Sequence, residues 1–277
     1  MKKIQSKSLL TLVIILIIIG ISTTSARNIM ISQSDVVLDS TLNNDSSALV
    51  SSFYVIDNPR RVLYPEILEE HRDESQDYIH KYIRKERSYI KLMFHRGEKY
   101  MPVAQKIFDQ YGVPYEFQVL PALESNFTAH AVSPAGAVGY WQFMSELARE
   151  YGLKTGGKYD ERKNFKKSTV AAAKFFRDQL NVYNNDVLLV VASYNCGPGR
   201  VNYAIRKSGK KDADFWDIKH NLPAETRRFV MRFLALNVVA MNYDKFLASK
   251  LDFNEPATIQ IASLDSVKKE IVEAPSL

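Results

Sequence analysis

The sequence predicts a mainly α-helical protein. Apolar residues recur at steps of three and four positions over 66–95, 168–183 and 223–245, which is the spacing of one face of an α-helix. No alternating apolar–polar run of useful length lies between residues 66 and 245, so we expect no large sheet there. With 277 residues, 46% of them hydrophobic, the chain can bury a full core and is not disordered as a whole.

The first 26 residues have the layout of an export signal. Basic and polar residues 2–8 precede the apolar run 9–21, and small residues follow at 22–26. A bilayer span takes about 20 residues, so this short run fits a cleaved signal peptide, with an uncleaved N-terminal anchor as the alternative. In both cases we expect the protein in the periplasm or cell envelope. Residues 27–58, rich in Ser, Asn and Asp, are predicted to be a disordered linker.

Residues 59–110 are predicted to be an N-terminal helical extension of the main domain, residues 111–245. The extension should contain one helix over 66–95, ended by Gly97, and a second helix beginning at Pro102. In the main domain the expected helices are 115–125 with a break at Pro121, 142–151, 168–183 capped by Ser168, 187–195 capped by Asp186, and 223–245.

Loops and a tail account for the rest of the chain. The small-residue segment 128–140 is too apolar for an ordinary solvated loop, and residues 206–214 form a basic, polar loop. The glycines at 197 and 199 end the helix before them. Residues 246–277 are predicted to be a C-terminal tail with one strand-like run at 258–262.

Composition excludes several kinds of site. A single cysteine, Cys196, allows neither an intramolecular disulfide nor a cysteine-based metal cluster, and the five histidines show no metal-ligand spacing. We therefore expect no metal and no cofactor. The net charge of +6 is not gathered into a basic stripe, which argues against nucleic acid and is compatible with an acidic polymer.

Glu124 is the one charged residue of the segment 120–127, LPALESNF. A carboxyl at the end of an apolar helix risks losing its hydration, and desolvation raises a carboxyl pKa. Such a group keeps a proton near neutral pH and can serve as a general acid. The surroundings alone leave open the ordinary alternative, a solvated glutamate at a helix end.

A second candidate segment runs over 133–144, SPAGAVGYWQFM. Its small residues let the backbone come close to a ligand. Trp141 offers a flat apolar face, and Gln142 offers both a donor and an acceptor. The alternative, which periodicity favours, is that Trp141 and Phe143 are core residues.

Two more segments end or begin helices. Tyr194 and Asn195 are polar groups at the end of an apolar helix, where they either cap that helix or face a cleft. Glu225 falls in the first turn of the last long helix, where the helix dipole alone would favour it.

Together these segments resemble the four ordered motifs of lytic transglycosylases with a soluble-lytic-transglycosylase domain. The motifs are Glu124-Ser125, then GYWQ at 139–142, SYN at 193–195 and PAET at 223–226. SPAGAVGYWQF and the later YDERKNFKKSTVAAAKFF are similar to the D type of lytic murein transglycosylase. The resemblance covers residues 60–245 and implies a goose-type-lysozyme-like helical fold with a groove for peptidoglycan glycan strands.

The resemblance also implies the roles of the site residues. Glu124 would protonate the bond between N-acetylmuramic acid and N-acetylglucosamine and then act as the base that forms a 1,6-anhydromuramoyl end. The residues expected to position Glu124 or contact substrate are Ser125, Ser133, Gly139, Trp141, Gln142, Met144, Tyr194, Asn195 and Glu225.

Three positions depart from the usual family pattern. Tyr140 stands where Leu or Met is usual, Ser193 where Ala is usual, and Cys196 where Ala is common. None of them removes an acid or base, so they bear on the shape of the subsites.

Two other functions remain open at this point. One is a lysozyme-like muramidase, a hydrolase on the same fold, and the other is a non-catalytic peptidoglycan-binding protein. We expect a monomer that associates with the membrane, if at all, through the apolar run 9–21.

Overall fold

The structure is a computed structural model that describes residues 54–56, 60–157, 159–253 and 259–261. The predicted export segment 1–26 lies outside the described residues, as does most of the predicted linker. Strand β1, Tyr54–Ile56, pairs antiparallel with strand β2, Ile259–Ile261, so the described part of that linker is paired and not disordered. Strand β2 confirms the strand-like run predicted in the tail.

The described chain is otherwise mainly helical, which confirms the predicted fold class. Its α-helices are α1 Glu66–Glu69, α2 Arg72–Lys85, α3 Arg87–Gly97, α4 Met101–Tyr111, α5 Leu120–Ser125, α6 Ser145–Glu150, α7 Phe165–Val182, α8 Val187–Cys196, α9 Pro198–Ser208, α10 Phe215–Ile218, α11 Ala224–Met241 and α12 Tyr243–Leu247. Short 3-10 helices occupy Tyr115–Val119, Glu161–Lys163 and Lys219–Asn221. Within the described ranges, every helix is too short or too polar to cross a bilayer.

The helix predicted over 66–95 is broken into α1, α2 and α3. His71 and Glu86 leave the helical conformation at the two breaks, with φ/ψ values of −113°/25° and −98°/15°. Neither break contains Gly or Pro, so helix propensity could not place them. Gly97 ends α3 as predicted. Farther on, Pro121 lies in the first turn of α5, directly after the change from a 3-10 helix to an α-helix.

The N-cap of α7 is Asn164, not Ser168 as predicted. The Asn164 Oδ1 atom accepts a hydrogen bond from the backbone N–H of Lys167 at 3.0 Å. Ser168 is buried one turn later, and its hydroxyl donates back to the Asn164 carbonyl at 2.7 Å. Asp186 caps α8 as predicted, accepting from the Leu189 N–H at 2.8 Å.

Two further boundaries differ from the prediction. Helix α6 begins at Ser145 and not at Gln142, because Gln142 has a left-handed φ of 49°. Helix α9 was not predicted: Pro198 occupies the first turn of a new helix, which continues to Ser208 into the predicted loop 206–214.

One hydrophobic core runs through the described helices. Helix α11 packs against α2 and α8, and α4 packs against α7. Ile79 and Ile83 of the predicted extension belong to the same buried cluster as Phe176 and Phe233. The domain boundary at 110/111 therefore stays a prediction, and the core crosses it. Helices α5 and α8 both pack on α11, which brings three of the four motifs together.

Candidate active site

Glu124 lies in the last turn of α5 and lines a cavity of about 330 Å³. The cavity is formed where α5, α8 and the beginning of α11 meet. Three of the predicted site residues line it, Glu124, Asn195 and Glu225. The remaining lining residues were not predicted from the sequence and are Leu123, Arg228, Phe229 and Arg232.

Burial controls the protonation of Glu124. The side chain is half-buried, and desolvation raises its pKa from 4.5 to about 8. The cause of this increase is desolvation by burial. Burial, together with the neighbouring Glu124 carboxylate, also raises the pKa of Tyr194. At pH 7 Glu124 therefore holds a proton.

Ser125 joins α5 to the loop that follows it. Its hydroxyl lies 2.8 Å from the carbonyl oxygen of Tyr140 and 3.1 Å from that of Pro121. The Thr128 N–H donates to the same hydroxyl oxygen at 3.3 Å. These contacts hold the turn that carries Glu124 against the 128–144 loop, in keeping with the positioning role expected for Ser125.

The backbone around Glu124 adopts left-handed conformations at residues other than glycine. Asn126 and Phe127 have φ values of 50° and 55° directly after α5, and Gln142 has a φ of 49°. Asparagine tolerates this region, but for a residue such as Phe127 it costs of order 1–3 kcal/mol. Among the described residues, none forms a hydrogen bond with the buried Asn126 Oδ1 atom. Strain of this kind persists only where the surrounding structure imposes it, and it concentrates at functional sites.

Gln142 is held by the loop it belongs to. Its Nε2 amide donates to the carbonyl oxygens of Gly139 at 2.8 Å and Ala131 at 3.2 Å. Both amide hydrogens are thus used within the protein. Any contact of this side chain with a ligand would have to use its carbonyl oxygen as an acceptor.

The expectation that Trp141 faces a ligand is wrong. Its side chain is fully buried, and its indole N–H donates to the Thr169 hydroxyl at 3.0 Å. The ring packs against Phe108 and Phe176, with centroids 5.9 and 5.8 Å away. Trp141 is therefore a core residue, which was the alternative that periodicity favoured.

Gly139 is needed for close packing between the 128–144 loop and the backbone of Arg162. It is buried with a φ of 84°, and a Cβ atom at this position would lie 2.1 Å from the carbonyl oxygen of Arg162. Only glycine lets the two backbone segments approach so closely. The predicted contact of Gly139 with substrate is thus replaced by contact with the segment before α7.

Ser133 and Met144 do not line the Glu124 cavity. The Ser133 hydroxyl oxygen accepts from the Ala137 N–H at 3.0 Å and closes a turn of the loop. Met144 precedes α6 and has 38% of its surface exposed, so it remains free to meet a ligand lying across the surface.

Tyr194 and Asn195 connect the end of α8 to its neighbours. The Tyr194 hydroxyl donates to the carbonyl oxygen of Trp141, and its ring packs 5.4 Å from those of Phe175 and Phe176. The Asn195 Oδ1 atom accepts from the Thr226 hydroxyl at 2.9 Å, which joins the third motif to the fourth.

Three of the four cavity residues missed by sequence reasoning share one signal. Arg228, Phe229 and Arg232 follow the predicted Glu225 at steps of three, one and three along α11, which is one face of a helix. With Glu225 predicted as a site residue, this helical spacing would also have predicted Arg228, Phe229 and Arg232. The guanidinium of Arg232 also lies 5.7 Å from the ring centroid of Tyr82 on α2.

A buried ion pair secures the 128–144 loop from outside the motifs. Arg162 binds Asp160 through Nε at 2.9 Å and Nη2 at 2.6 Å, and its Nη1 donates to the Phe143 carbonyl at 3.0 Å. Hydrogen bonding to Arg162 lowers the pKa of Asp160 to about 2. Asp160 and Arg162 lie two residues apart in the segment YDERKNFKKSTVAAAKFF, whose resemblance to the D type gave neither residue a role.

Residues 102–216 match the family model described as transglycosylase SLT domain. The similarity to the SLT domain covers 115 of the 277 residues. The domain contains Glu124, Gln142 and Tyr194, and Glu225 lies nine positions beyond the matched residues. The match confirms the family that the four ordered motifs had indicated.

Two curated proteins are similar to this chain in sequence. The chain is 36% identical to membrane-bound lytic murein transglycosylase D of Escherichia coli over 176 residues, 63% of this chain and 38% of that protein. It therefore spans less than two fifths of the length of this relative. It is also 34% identical over 99 residues to the peptidoglycan transglycosylase gp16 of an Escherichia phage, covering 35% of this chain and 8% of that one.

A solved structure similar to the SLT-containing chain is the 70 kDa soluble lytic transglycosylase of Escherichia coli. The two chains are 20% identical with a TM-score of 0.44, and the match covers 61% of this chain and 30% of that one.

Proposed function

We propose that the protein is a peptidoglycan lytic transglycosylase that uses Glu124 as its single acid and base. It would cleave the bond between N-acetylmuramic acid and N-acetylglucosamine and leave a 1,6-anhydromuramoyl end. The observation that carries the proposal is a carboxyl with a pKa of about 8 that lies within the SLT match and lines a cavity.

In the first step Glu124 donates its proton to the glycosidic oxygen. A carboxyl with a pKa near 8 is mostly protonated at neutral pH, so the acid form is present when substrate binds. The C–O bond breaks as the leaving sugar takes the proton, and positive charge develops at the muramoyl C1.

In the second step the Glu124 carboxylate takes the proton from the 6-hydroxyl of the same muramoyl residue. That oxygen then bonds to C1 and closes the 1,6-anhydro ring. The proton lost in the first step is regained in the second, so Glu124 ends in its original form and no water is consumed. One carboxylate is sufficient for both steps.

The surrounding residues would support these steps. Ser125 would hold Glu124 through its contact with the 128–144 loop, and Tyr194 would contribute to its apolar surroundings. Gln142 would meet substrate through its carbonyl oxygen. Asn195 and Glu225 would line the groove beside the reacting bond.

A lysozyme-like muramidase is the second candidate, and one observation favours it. Glu225 lies in the same cavity as Glu124, so a second carboxylate is available. Retaining and inverting glycosidases use two carboxylates about 5–9.5 Å apart, one of which attacks the sugar or activates water. A muramidase would release reducing ends in place of anhydro ends.

The products and two variants separate the candidates. Mass spectrometry of digested sacculi should find anhydromuramoyl ends, and reducing ends would refute the transglycosylase. Glu124→Gln should lower the rate about 10²–10⁴-fold. If this variant still dissolves peptidoglycan at the wild-type rate, Glu124 is not the catalytic acid. If the wild type dissolves no peptidoglycan, the protein is a non-catalytic binder. Glu225→Gln should remove activity as completely as Glu124→Gln only if Glu225 is a second reacting carboxylate.

We also propose that the protein acts in the cell envelope. Support comes from the export-like segment 1–26 and from the Escherichia coli relative, whose name describes it as membrane-bound. The intact mass of the exported protein tests this directly, because loss of residues 1–26 means a cleaved signal and their retention means an N-terminal anchor.

A further inference from the structure

A second cavity of about 600 Å³ lies beside the Glu124 site, and we name it the N-terminal cleft. It is formed where the end of α3 faces the turn after α5. Residues 95–100 make one wall, and residues 127–129 with Tyr140 make the other. The first wall precedes the SLT match, which begins at residue 102. The family match therefore assigns nothing to it.

Aromatic rings form the floor of the N-terminal cleft. The rings of Tyr100 and Phe127 stack with centroids 5.6 Å apart and planes within 4° of parallel. The Tyr100 hydroxyl lies 3.0 Å from the hydroxyl of Tyr140. Phe127 has a left-handed φ of 55° and packs on Tyr100, so the two rings form one continuous apolar surface.

Two exposed, positively charged side chains line the N-terminal cleft. Arg96 and Lys99 are exposed, and neither forms an ion pair with a described residue. The Lys99 Nζ atom lies 5.0 Å from the ring centroid of Tyr100, which keeps its charge over the floor. Among the described residues that line the cleft, Glu98 carries the one carboxylate, which lies 3.4 Å from the imidazole Nδ1 of His95.

The N-terminal cleft lies within reach of a substrate bound at Glu124. Phe127 follows Glu124 by three peptide units, so their Cα atoms are at most about 11 Å apart. Ser125, between them, binds the backbone of Tyr140 in the cleft wall. An extended peptide of three residues spans about 10 Å. A short peptide attached to a sugar at Glu124 can thus enter the cleft.

We propose that the N-terminal cleft binds the carboxylate-bearing peptide arms of peptidoglycan. Arg96 and Lys99 would bind the carboxylates, and the Tyr100–Phe127 floor would contact the apolar parts of the peptide. A guanidinium offers paired donors that match a carboxylate, whereas neutral sugars give these cations no charged partner. This proposal rests on the proposed function, because the peptide arm is brought to the cleft by the glycan strand cleaved at Glu124.

The test compares two soluble substrates, glycan strands that carry peptide arms and the same strands after an amidase has removed the peptides. A double variant, Arg96→Gln with Lys99→Gln, should raise KM for the peptide-bearing strands about tenfold, as expected for lost charge-assisted contacts. The same variant should leave kcat, and KM for the peptide-free strands, within about twofold of wild type. An equal change on both substrates, or none on either, would overturn the proposal.

A matched control removes two positive charges from α2 and α3, away from the cleft. Arg84 and Lys91 are exposed on α2 and α3 and line neither cavity, so Arg84→Gln with Lys91→Gln should leave both KM values unchanged. A tenfold KM increase in this control would show a long-range charge effect and would also overturn the proposal.

The experiments distinguish failure of the proposed function from failure of the cleft proposal. If the wild type cleaves neither substrate, the transglycosylase proposal has failed, and the cleft is then judged by binding alone. In a Glu124→Gln background, fluorescence anisotropy should show about tenfold weaker binding of peptide-bearing strands after the Arg96 and Lys99 changes. Unchanged binding would refute the cleft proposal on its own.

Discussion

The side chain of Glu124 sits at the end of a six-residue helix, with part of its surface open to a cavity. The sequence predicted that desolvation would raise its pKa, and the structure gives burial as the cause. The expected direction is confirmed. The size of the effect could not be predicted, because it depends on side chains from α8 and α11 that lie about 70 to 100 positions away along the chain.

The pH dependence of the rate follows from this pKa. Because the acid form of Glu124 carries the first proton transfer, kcat/KM should fall above pH 8, with an alkaline limb at about the pKa of the free enzyme. A pH–rate profile on soluble glycan strands measures this limb. A limb near pH 4.5 would mean that Glu124 is ionised at neutral pH and does not act as the acid.

Stability should depend on the same carboxyl. Its pKa is raised on folding, so the folded protein binds an extra proton between pH 4.5 and about 8 and loses stability as the pH rises through that window. Glu124→Gln removes this penalty. At pH 9 the variant should be more stable by about 1–3 kcal/mol, a value reduced for solvent access through the cavity. At pH 4 the difference should vanish.

Thermal unfolding of wild type and Glu124→Gln at pH 4 and pH 9 checks this expectation. A stability difference that is the same at both pH values would contradict it, because a change in packing alone does not titrate.

At the scale of elements, the 128–144 loop is held in place by close contact between its backbone and the segment before α7. Gly139→Ala would place a Cβ atom 2.1 Å from the Arg162 carbonyl oxygen, at a backbone φ of 84°. We expect a loss of more than about 3 kcal/mol in unfolding free energy, since backbone must move. Activity should fall with it, because Gln142 and the Ser125 contact depend on the same loop.

Gly136→Ala is the matched control for this contact. Gly136 has a similar φ of 87°, but a Cβ atom there would meet nothing within 4 Å, so only the backbone penalty of about 1–2 kcal/mol applies. Denaturant unfolding of both variants isolates the clash. Equal losses would show that Gly139 is required for its φ alone.

The helix boundaries show which structural features local sequence patterns can predict. Asp186 was correctly predicted as the N-cap of α8. For α7 the predicted N-cap was Ser168, whereas the observed N-cap is Asn164. Both residues are good caps, and the choice between them follows from Phe165, whose burial in the core extends α7 by a turn. The breaks at His71 and Glu86 have no local sequence signal, because neither contains the Gly or Pro that usually ends a helix.

At the scale of the whole molecule, the helices before the SLT match complete its core. Helix α2 covers α11, where Val230 and Phe233 are fully buried. A fragment beginning at residue 101 would expose such side chains at a cost of about 1.5–3 kcal/mol each, which is comparable to a domain's whole stability. We expect this fragment not to unfold cooperatively.

Circular dichroism during thermal unfolding tests the fragment. A matched fragment of residues 52–277, the compact unit that includes all described helices, should keep a cooperative transition. If the shorter fragment unfolds cooperatively near the same Tm, the SLT domain is independent of α1–α3.

The sequence by itself determined the helical class, the order of the four motifs and Glu124 as the candidate acid, because helical period and motif spacing are short-range properties of the chain. Only the tertiary structure decided that Trp141 is buried, that Arg228 and Arg232 join Glu124 and Glu225 at one cavity, and that α3 builds a second cleft beside it. These features depend on burial and contact between distant segments. Burial is a property of the folded whole, so no local pattern specifies which polar or aromatic side chain will face a cavity.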